Sequence, residues 1–476
     1  MTRVNNVTYT KLSTSMNALL EEGKVKAGLL GKQVLVSSVT EIDQTDLPAF
    51  FSYQEHMYRG NRFYWSEPGR VLTYVGLGAV LTIEAEDKQN RFKYVDSKWK
   101  VVAGEAIIDA RPSPYTGPIL FGGFSFDPQI AQSNKWSDFA HTSFAVPKYM
   151  ITADNGRYYL TSNQLVGGDQ ESAEDNELEK MLSRLQQFAH DSKQDSAQPS
   201  MLHEEIAPSD WMAAVEQAAS SIRQGNLEKV VLARTLMLQA EEAFRSETVL
   251  RSLLEEQLNT YVFAIDKPSS CFIGATPERL IRRQGEQLLT LSLAGSIARG
   301  QTEQEDEELA SFLRHDLKNL HEHRLAVDMI KAAMQQLCVH VDAPDAPIIR
   351  KLKDIQHLAT PIAGEVKEGV SLLQAVEALH PTPALGGMPR EHALEAIRAL
   401  EHMDRGWYAA PIGWMNTELD GEFAAAIRSA LLREEQAYLF AGCGIVGNSE
   451  PLSEYKETAL KFRPMLKALD ALSTSE

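Results

Sequence analysis

The chain has 476 residues, 43% hydrophobic and 24% charged, which suits a globular protein with an extensive core, built as one large domain or two intimate ones. A formal charge of -18 argues against a nucleic-acid partner, whose phosphates need clustered Lys and Arg, and requires any anionic ligand to find a locally positive pocket. Cys271, Cys338 and Cys443 are too few and too scattered for a disulfide framework or a zinc cluster, which fits a reducing compartment. The segment MTRVNNVTYTKLSTSMNALLEEG lacks the apolar core of a signal peptide, and no stretch is long enough to cross a bilayer. A cytoplasmic protein with no membrane association is expected.

In chain order, residues 1 to about 165 read as strand-rich. VLVSSV (35–40), VLTYVGLGAVLTI (71–83), KVVAGEAIIDA (100–110), PILFGGFSF (118–126) and RYYLTS (157–162) are apolar or alternating runs punctuated by Gly and Pro. A helix-like stretch at 176–190 precedes DSKQDSAQPS (191–200), an exposed connector poor in apolar residues. The next helix has Ser209 placed to cap it, Trp211, Val215, Ala218 and Ile222 at helical spacing, and Gly225 to end it. Strands are expected at 228–238, 261–265, 270–275, 288–295, 421–432 and 436–446, with long helices at 303–340, 387–404 and 452–470. Without regular strand–helix alternation, the pattern implies an α+β arrangement of sheets flanked by helices.

Gly442-Cys443-Gly444-Ile445-Val446-Gly447 matches the dinucleotide fingerprint G-x-G-x-x-G. That site needs a second parallel strand bearing an acidic residue about 20 residues on, and the tail ALDALSTSE offers none. A tight turn is the plainer reading, although glycines leading into a helix also present amides to an anion such as a carboxylate.

HDLKNLHEHRL (315–325) carries three histidines, but residues two apart on a helix diverge and residues eight apart are about 12 Å apart, so no pair chelates one ion. Asp316, Asn319 and His323 share one side, with Glu322 adjacent. In the last helix Glu454, Glu457 and Lys461 share a face. Each cluster alone reads more simply as surface decoration; together, two carboxylate helices without thiolates suggest a hard cation, Mg²⁺. Lys229 opens an apolar strand and Glu278 follows a buried-looking one at a Pro turn. Their plain readings are a solvent-facing lysine and a turn carboxylate paired with Arg279, and spacing alone lifts neither above these.

The ordered segments EKVVLAR (228–234), FIGATPERL (272–280), LSLAGSIARG (291–300), DLKNLHEHRLAV (316–327), IQHLATPIAG (355–364), LHPTPALGGMP (379–389), RGWYAAPIGW (405–414), GEFAAAIRSAL (421–431) and LFAGCGIVGNSEPLSEYKETALKF (439–462) resemble the chorismate-utilising enzymes. That family includes the isochorismate, salicylate, anthranilate and aminodeoxychorismate synthases. GLGAV (76–80) and PILFGGFSFDP (118–128) resemble it more loosely. The resemblance implies one fold of two large packed sheets flanked by helices. Residues 1–200 would complete it with strands, a surface connector would lie near 165–205, and the catalytic region would span 205–465.

By the same resemblance, Glu322 and Glu457 would bind Mg²⁺, with Glu454 helping through water. The metal, the Gly442 and Gly444 amides and Lys461 would hold the ring carboxylate of chorismate. Tyr408 and Arg428 would grip the enolpyruvyl carboxylate, Gly295 and Ser296 would line the ring, and His357 would lie near it. Lys229 would be the base that activates water at C2, and Glu278, kept protonated by burial, the acid that protonates the C4 hydroxyl. Ammonia-using members carry Gln where Lys229 stands, and aminodeoxychorismate synthases place a Lys where Ala294 stands. The resemblance therefore favours water as nucleophile and isochorismate as product, with no obligatory protein partner. The long N-terminal half favours the menaquinone-type members over siderophore ones. Salicylate formation with loss of pyruvate is the runner-up, and a non-catalytic anion-binding protein ranks below both.

Overall fold

The computed structural model describes residues 2–53, 55–85, 88–109, 111–167, 201–225, 227–351 and 355–470, with side chains from Met16 onward. Two large sheets dominate. The larger has 13 strands among the described residues, in the order Met201–Glu205, Lys229–Ala240, Gln436–Ile445, Ser429–Arg433, Ser270–Thr276, Tyr261–Lys267, Arg62–Ser66, Leu72–Leu77, Tyr149–Asp154, Arg157–Val166, Val34–Ile42 and Ile107–Ile108. Gly387–Met388 pairs on the outside of the Lys229 strand. The smaller sheet, with 10 strands, runs Cys338–Asp342, Ile355–Val366, Gln287–Ala298, Arg279–Gln284, Gly421–Ala425, Pro411–Met415, Leu120–Phe124, Thr142–Val146 and Leu81–Glu84, and Ile348–Lys351 also pairs with Ile355–Val366.

Strands from both halves of the sequence share ladders: Arg62–Ser66 pairs with Tyr261–Lys267, and Leu120–Phe124 with Pro411–Met415. The sheets meet through aromatic side chains. Phe63 stacks on Phe121 with centroids 6.2 Å apart, and Tyr74 meets Trp414 edge-on at 5.1 Å. The expected helix at 176–190 and the connector at 191–200 lie outside the described residues.

Two apolar runs read as single strands are each divided between the sheets. VLTYVGLGAVLTI breaks near Gly78 (φ +71) into Leu72–Leu77 in the larger sheet and Leu81–Glu84 in the smaller. GEFAAAIRSALL breaks before Ser429, with Arg428 at φ +52, into Gly421–Ala425 and Ser429–Arg433. KVVAGEAIIDA is not a strand: helix Arg91–Glu105 buries Phe92, Val95 and Trp99 on one face, and only Ile107–Ile108 is extended. Its helical period begins before the window that looked β-like.

The expected helix at 303–340 is two, Glu303–His315 and Leu317–Leu337. Asp316 ends the first and caps the second, accepting from the Asn319 amide at 2.9 Å. Ser209 is not a cap but lies inside helix Pro208–Arg223, which Ala207 precedes at φ 48. The 387–404 stretch is a short strand followed by helix Arg390–Leu400. Helix Thr2–Leu30 falls in the part read as strand-rich, and it packs Met16, Leu19, Leu20 and Ala27 against Val34, Val36, Ile107 and Val166.

A buried ion pair anchors the Lys229 strand. Arg405 and Glu401 are 1% and 2% exposed. Arg405 donates to Leu385 O (3.0 Å), Val231 O (2.8 Å) and Glu401 Oε2 (2.8 Å), while Glu401 Oε1 accepts the Ala233 amide at 2.7 Å. Removing one partner leaves a buried charge uncompensated, so Glu401→Gln should cost about 3–5 kcal/mol of folding stability. Denaturant unfolding measures this, and a loss under about 1 kcal/mol would show that the pair is not a structural clamp.

Candidate active site

The Lys229 strand pairs antiparallel with Gln436–Ile445, placing Val231 opposite Gly444 and Ala233 opposite Gly442. Val231 and Ala233 send their amides outward, to Gly386 O and Glu401. In an antiparallel ladder the facing residues then also turn their polar groups away, so Gly442 and Gly444 present theirs on the far side. There the neighbouring strand pairs only as far as Phe440. Gly442 O uses this opening to accept from Lys461 Nζ at 2.9 Å.

Gly444 also makes room for Lys229, because a Cβ there would lie 2.6 Å from Lys229 Cε. The lysine side chain is 16% exposed and its Nζ sits 2.6 Å from Glu322 Oε1. It is not a solvent-facing strand end.

Glu278 follows strand Ser270–Thr276 and is half-buried. Its carbonyl accepts the Ala425 amide at 3.0 Å. Burial pushes its carboxyl up to about 7, against the opposing influence of Thr382, Lys229, Arg428 and Lys461. Arg279 is not its partner: that guanidinium bonds Glu422 Oε1 (2.6 Å) and Tyr261 Oη (2.9 Å).

The carboxylates sit on two helices. Glu322 comes from Leu317–Leu337, Glu454 and Glu457 from Pro451–Ala468. Burial raises Glu322, but Lys229, with Lys318 and Lys461, outweighs it and leaves the carboxyl below its ordinary value. Glu457 is paired to Lys461 at 2.7 Å. Among the described residues no three acidic, histidine or cysteine side chains converge into a cage, so Glu322, Glu454 and Glu457 are not gathered into one cluster. The donor set nevertheless fits a hard cation. It is all oxygen, ammonium groups already sit on two of the three carboxylates, and Mg²⁺ needs only one or two protein carboxylates when waters and substrate complete its shell.

The remaining expected residues come from the smaller sheet and nearby turns. Gly295 adopts φ +75 at a bulge between Ala294 and Ser296, and a Cβ there would press on Asn319 at 3.2 Å. Ser296 Oγ lies 2.6 Å from His357 Nδ1. Burial, then Arg428, Lys461 and Arg350, push His357 down to about 3, so it is neutral. Tyr408 is buried and stacks on Phe440 at 5.3 Å; burial raises its phenol above the ordinary value. Its hydroxyl lies 3.3 Å from where a Gly442 Cβ would sit.

Lys461 acts on Glu278, Glu322 and His357 alike, and Arg428 on Glu278 and His357. Glu278, Glu322 and His357 therefore lie within electrostatic reach of the same cationic groups. His323 takes no part: it bonds Ala294 O (3.1 Å) and Thr360 Oγ1 (2.7 Å) inside the fold. Sequence reasoning missed Glu401, Arg405, Ser292 and Thr382. LHPTPALGGMP, LSLAGSIARG and RGWYAAPIGW contain Thr382, Ser292 and Arg405 but set none of the three apart from its neighbours.

The family described as chorismate binding enzyme matches residues 23–470. Isochorismate synthase MenF of Bacillus subtilis is 42% identical over 454 residues, 93% of this chain and 95% of that protein. The salicylate biosynthesis isochorismate synthase of Pseudomonas aeruginosa is 37% identical over 97% of this chain and 96% of its own. The solved structure of MenF, the menaquinone-specific isochorismate synthase from Escherichia coli, has the same fold: TM-score 0.74, 23% identity, covering 96% of this chain and 100% of that one.

Gly444→Ala should displace the Lys229 side chain and break its contact with Glu322, because the new methyl occupies the lysine's place. A crystal structure of the variant checks this; an unchanged 2.6 Å contact would show that the strand yields instead.

Proposed function

The chain belongs to the chorismate-binding enzyme family, and within it we propose that it is an isochorismate synthase serving menaquinone biosynthesis, working reversibly with Mg²⁺ in the cytoplasm. The observation that carries this reading is a shielded lysine, Lys229, within electrostatic reach of a burial-raised carboxyl, Glu278. Two extensive relatives named isochorismate synthases support it. The name MenF, shared by the Bacillus relative and the menaquinone-specific Escherichia enzyme, supports the pathway. No helix among the described residues is long and apolar enough to cross a membrane. No nucleic acid and no obligatory protein partner enter the reading.

The ring carboxylate of chorismate takes the end of the site formed by the Gly442 and Gly444 amides and Lys461. Tyr408 and Arg428 hold the enolpyruvyl carboxylate, and Gly295, Ser296 and the neutral His357 border the ring. Glu322 and Glu457, with Glu454 through water, would hold Mg²⁺, which supplies positive charge to the ring carboxylate and makes the conjugated ring a better electron acceptor. Lys229, released from Glu322, first gives up its own proton to solvent and then, as the free amine, takes a proton from the water that bonds to C2. The ring double bonds shift, and the C4–O bond breaks as Glu278 gives its proton to the hydroxyl, which leaves as water. One water enters and one departs, so the net reaction is isomerisation.

Incubation of chorismate with enzyme and Mg²⁺ should give isochorismate at equilibrium with chorismate. Chelation should stop turnover, and Lys229→Ala and Glu278→Gln should each lower kcat at least about 100-fold with little change in KM. Stoichiometric pyruvate with salicylate would instead assign salicylate synthesis, and full activity after exhaustive chelation would remove the metal.

The acid assignment has a pH signature. Glu278 donates only while protonated, so forward kcat/KM should decline as pH rises through about 7. A forward rate that keeps rising well past that value would assign the acid elsewhere.

A further inference from the structure

A cavity of about 10 Å³ adjoins Glu278, room for one water. Glu278, Thr290, Ser292, Ala326, Ile330 and Thr382 contribute to its wall. Thr290 spends its hydroxyl on Leu280 O at 2.7 Å. Ser292 Oγ and Thr382 Oγ1 are buried with no hydrogen-bond partner among the described residues, their residues 2% and 8% exposed. A buried hydroxyl without a partner is costly, and native interiors rarely keep one without a reason. Here the two residues that carry them line one water-sized space together with Glu278. Ser292 lies on the buried face of its strand, with Leu288 and Ala294, where an apolar side chain would serve packing at lower cost.

We propose that Ser292 and Thr382, linked by a single buried water, are positioning residues that orient the Glu278 carboxyl and stabilise the carboxylate it becomes after giving up its proton. This rests on the reading of Glu278 as the acid. Thr382 stands close enough to favour the charged form of Glu278, yet makes no well-formed hydrogen bond to it. A bridging water closes that gap with one donor for the carboxylate and one acceptor for a hydroxyl.

Burial alone would make Glu278 hold its proton too tightly to donate it well; Thr382, with Lys229, Arg428 and Lys461, brings it back to about 7. The other groups facing it are cationic: Lys229 from its strand, Arg428 from the turn before Ser429, and Lys461 from the last helix. Arg279 lines the same cavity but is committed to Glu422 and Tyr261. Helix Leu317–Leu337 contributes only the apolar Ala326 and Ile330 to this wall.

The test uses the full chain with Thr382→Val, Ser292→Ala, the double variant and Thr382→Ser. Protonation of Glu278 is followed by infrared difference titration without substrate, with Glu278→Gln subtracted, alongside the pH profile of kcat and KM for chorismate. Removing a donor to the carboxylate should raise its titration midpoint by about half a pH unit or more and shift the alkaline limb of kcat upward with it. Turnover at neutral pH should fall about tenfold with KM within about twofold, and Thr382→Ser should restore both. A cooperatively folded double variant with unchanged titration and unchanged pH profile would overturn the proposal. Should Thr382→Val not fold, Ser292→Ala, which removes a single atom, decides the question alone. If Glu278→Gln kept full turnover, the acid reading would fall, while the infrared titration would still judge the hydroxyl pair.

Discussion

The buried ion pair of Arg405 with Glu401 holds the catalytic half in register. Its hydrogen bonds go to the backbone of Val231 and Ala233, two and four residues beyond Lys229, and to Leu385 O in the segment that follows Thr382. By occupying the outward polar groups of that strand, it fixes which residues pair inward with Gln436–Ile445. That pairing sets Gly444 against the Lys229 side chain and turns the Gly442 carbonyl to Lys461. A one-residue slip would invert every side chain, sending Lys229 out of the pocket. The clamp thus ties a packing constraint to the position of the proposed base.

The charge pattern follows from that geometry. A chain of formal charge -18 collects Lys229, Lys461 and Arg428 within electrostatic reach of Glu278, and two of them rest on Glu322 and Glu457. Each ion pair holds a lysine against a carboxylate. Exchange of partners then costs little: an anionic ligand offers the ammonium groups an alternative, and a divalent cation offers one to the carboxylates. Charge is rearranged on binding and is not brought uncompensated into a half-buried site.

The candidate residues could be named from the sequence only through the family resemblance of short ordered segments, such as EKVVLAR for Lys229 and FIGATPERL for Glu278. The architecture was legible as two sheets with helices but not in its connections. Both sheets are buried on facing surfaces, so a run that crosses from one to the other stays apolar throughout. Gly78 and Arg428, the positive-φ residues at the crossings, carry little signal by themselves. Helix Arg91–Glu105 was hidden by β-branched residues at its end, and the Asp316 cap by the continuous helical pattern around it. Partners distant in the chain gave no signal: Arg279 turns from its neighbour Glu278 to Glu422, and Glu401 reaches back to Ala233.

Lys229 stands within electrostatic reach of Glu278 yet in an opposite environment, and that contrast explains how one site accommodates a base and an acid. Lys229 is held by a carboxylate on a helix, an attachment that ligand exchange can undo. Glu278 is bounded by backbone, Thr382 and the apolar wall of Ala326 and Ile330, none of which is displaced when charges rearrange. Its high proton affinity comes first from burial, so it persists while neighbouring ion pairs change partners. The base is therefore gated by electrostatics and the acid is set by packing. Two groups tuned by different physical terms can be placed within reach of one ring without each erasing the other's protonation state.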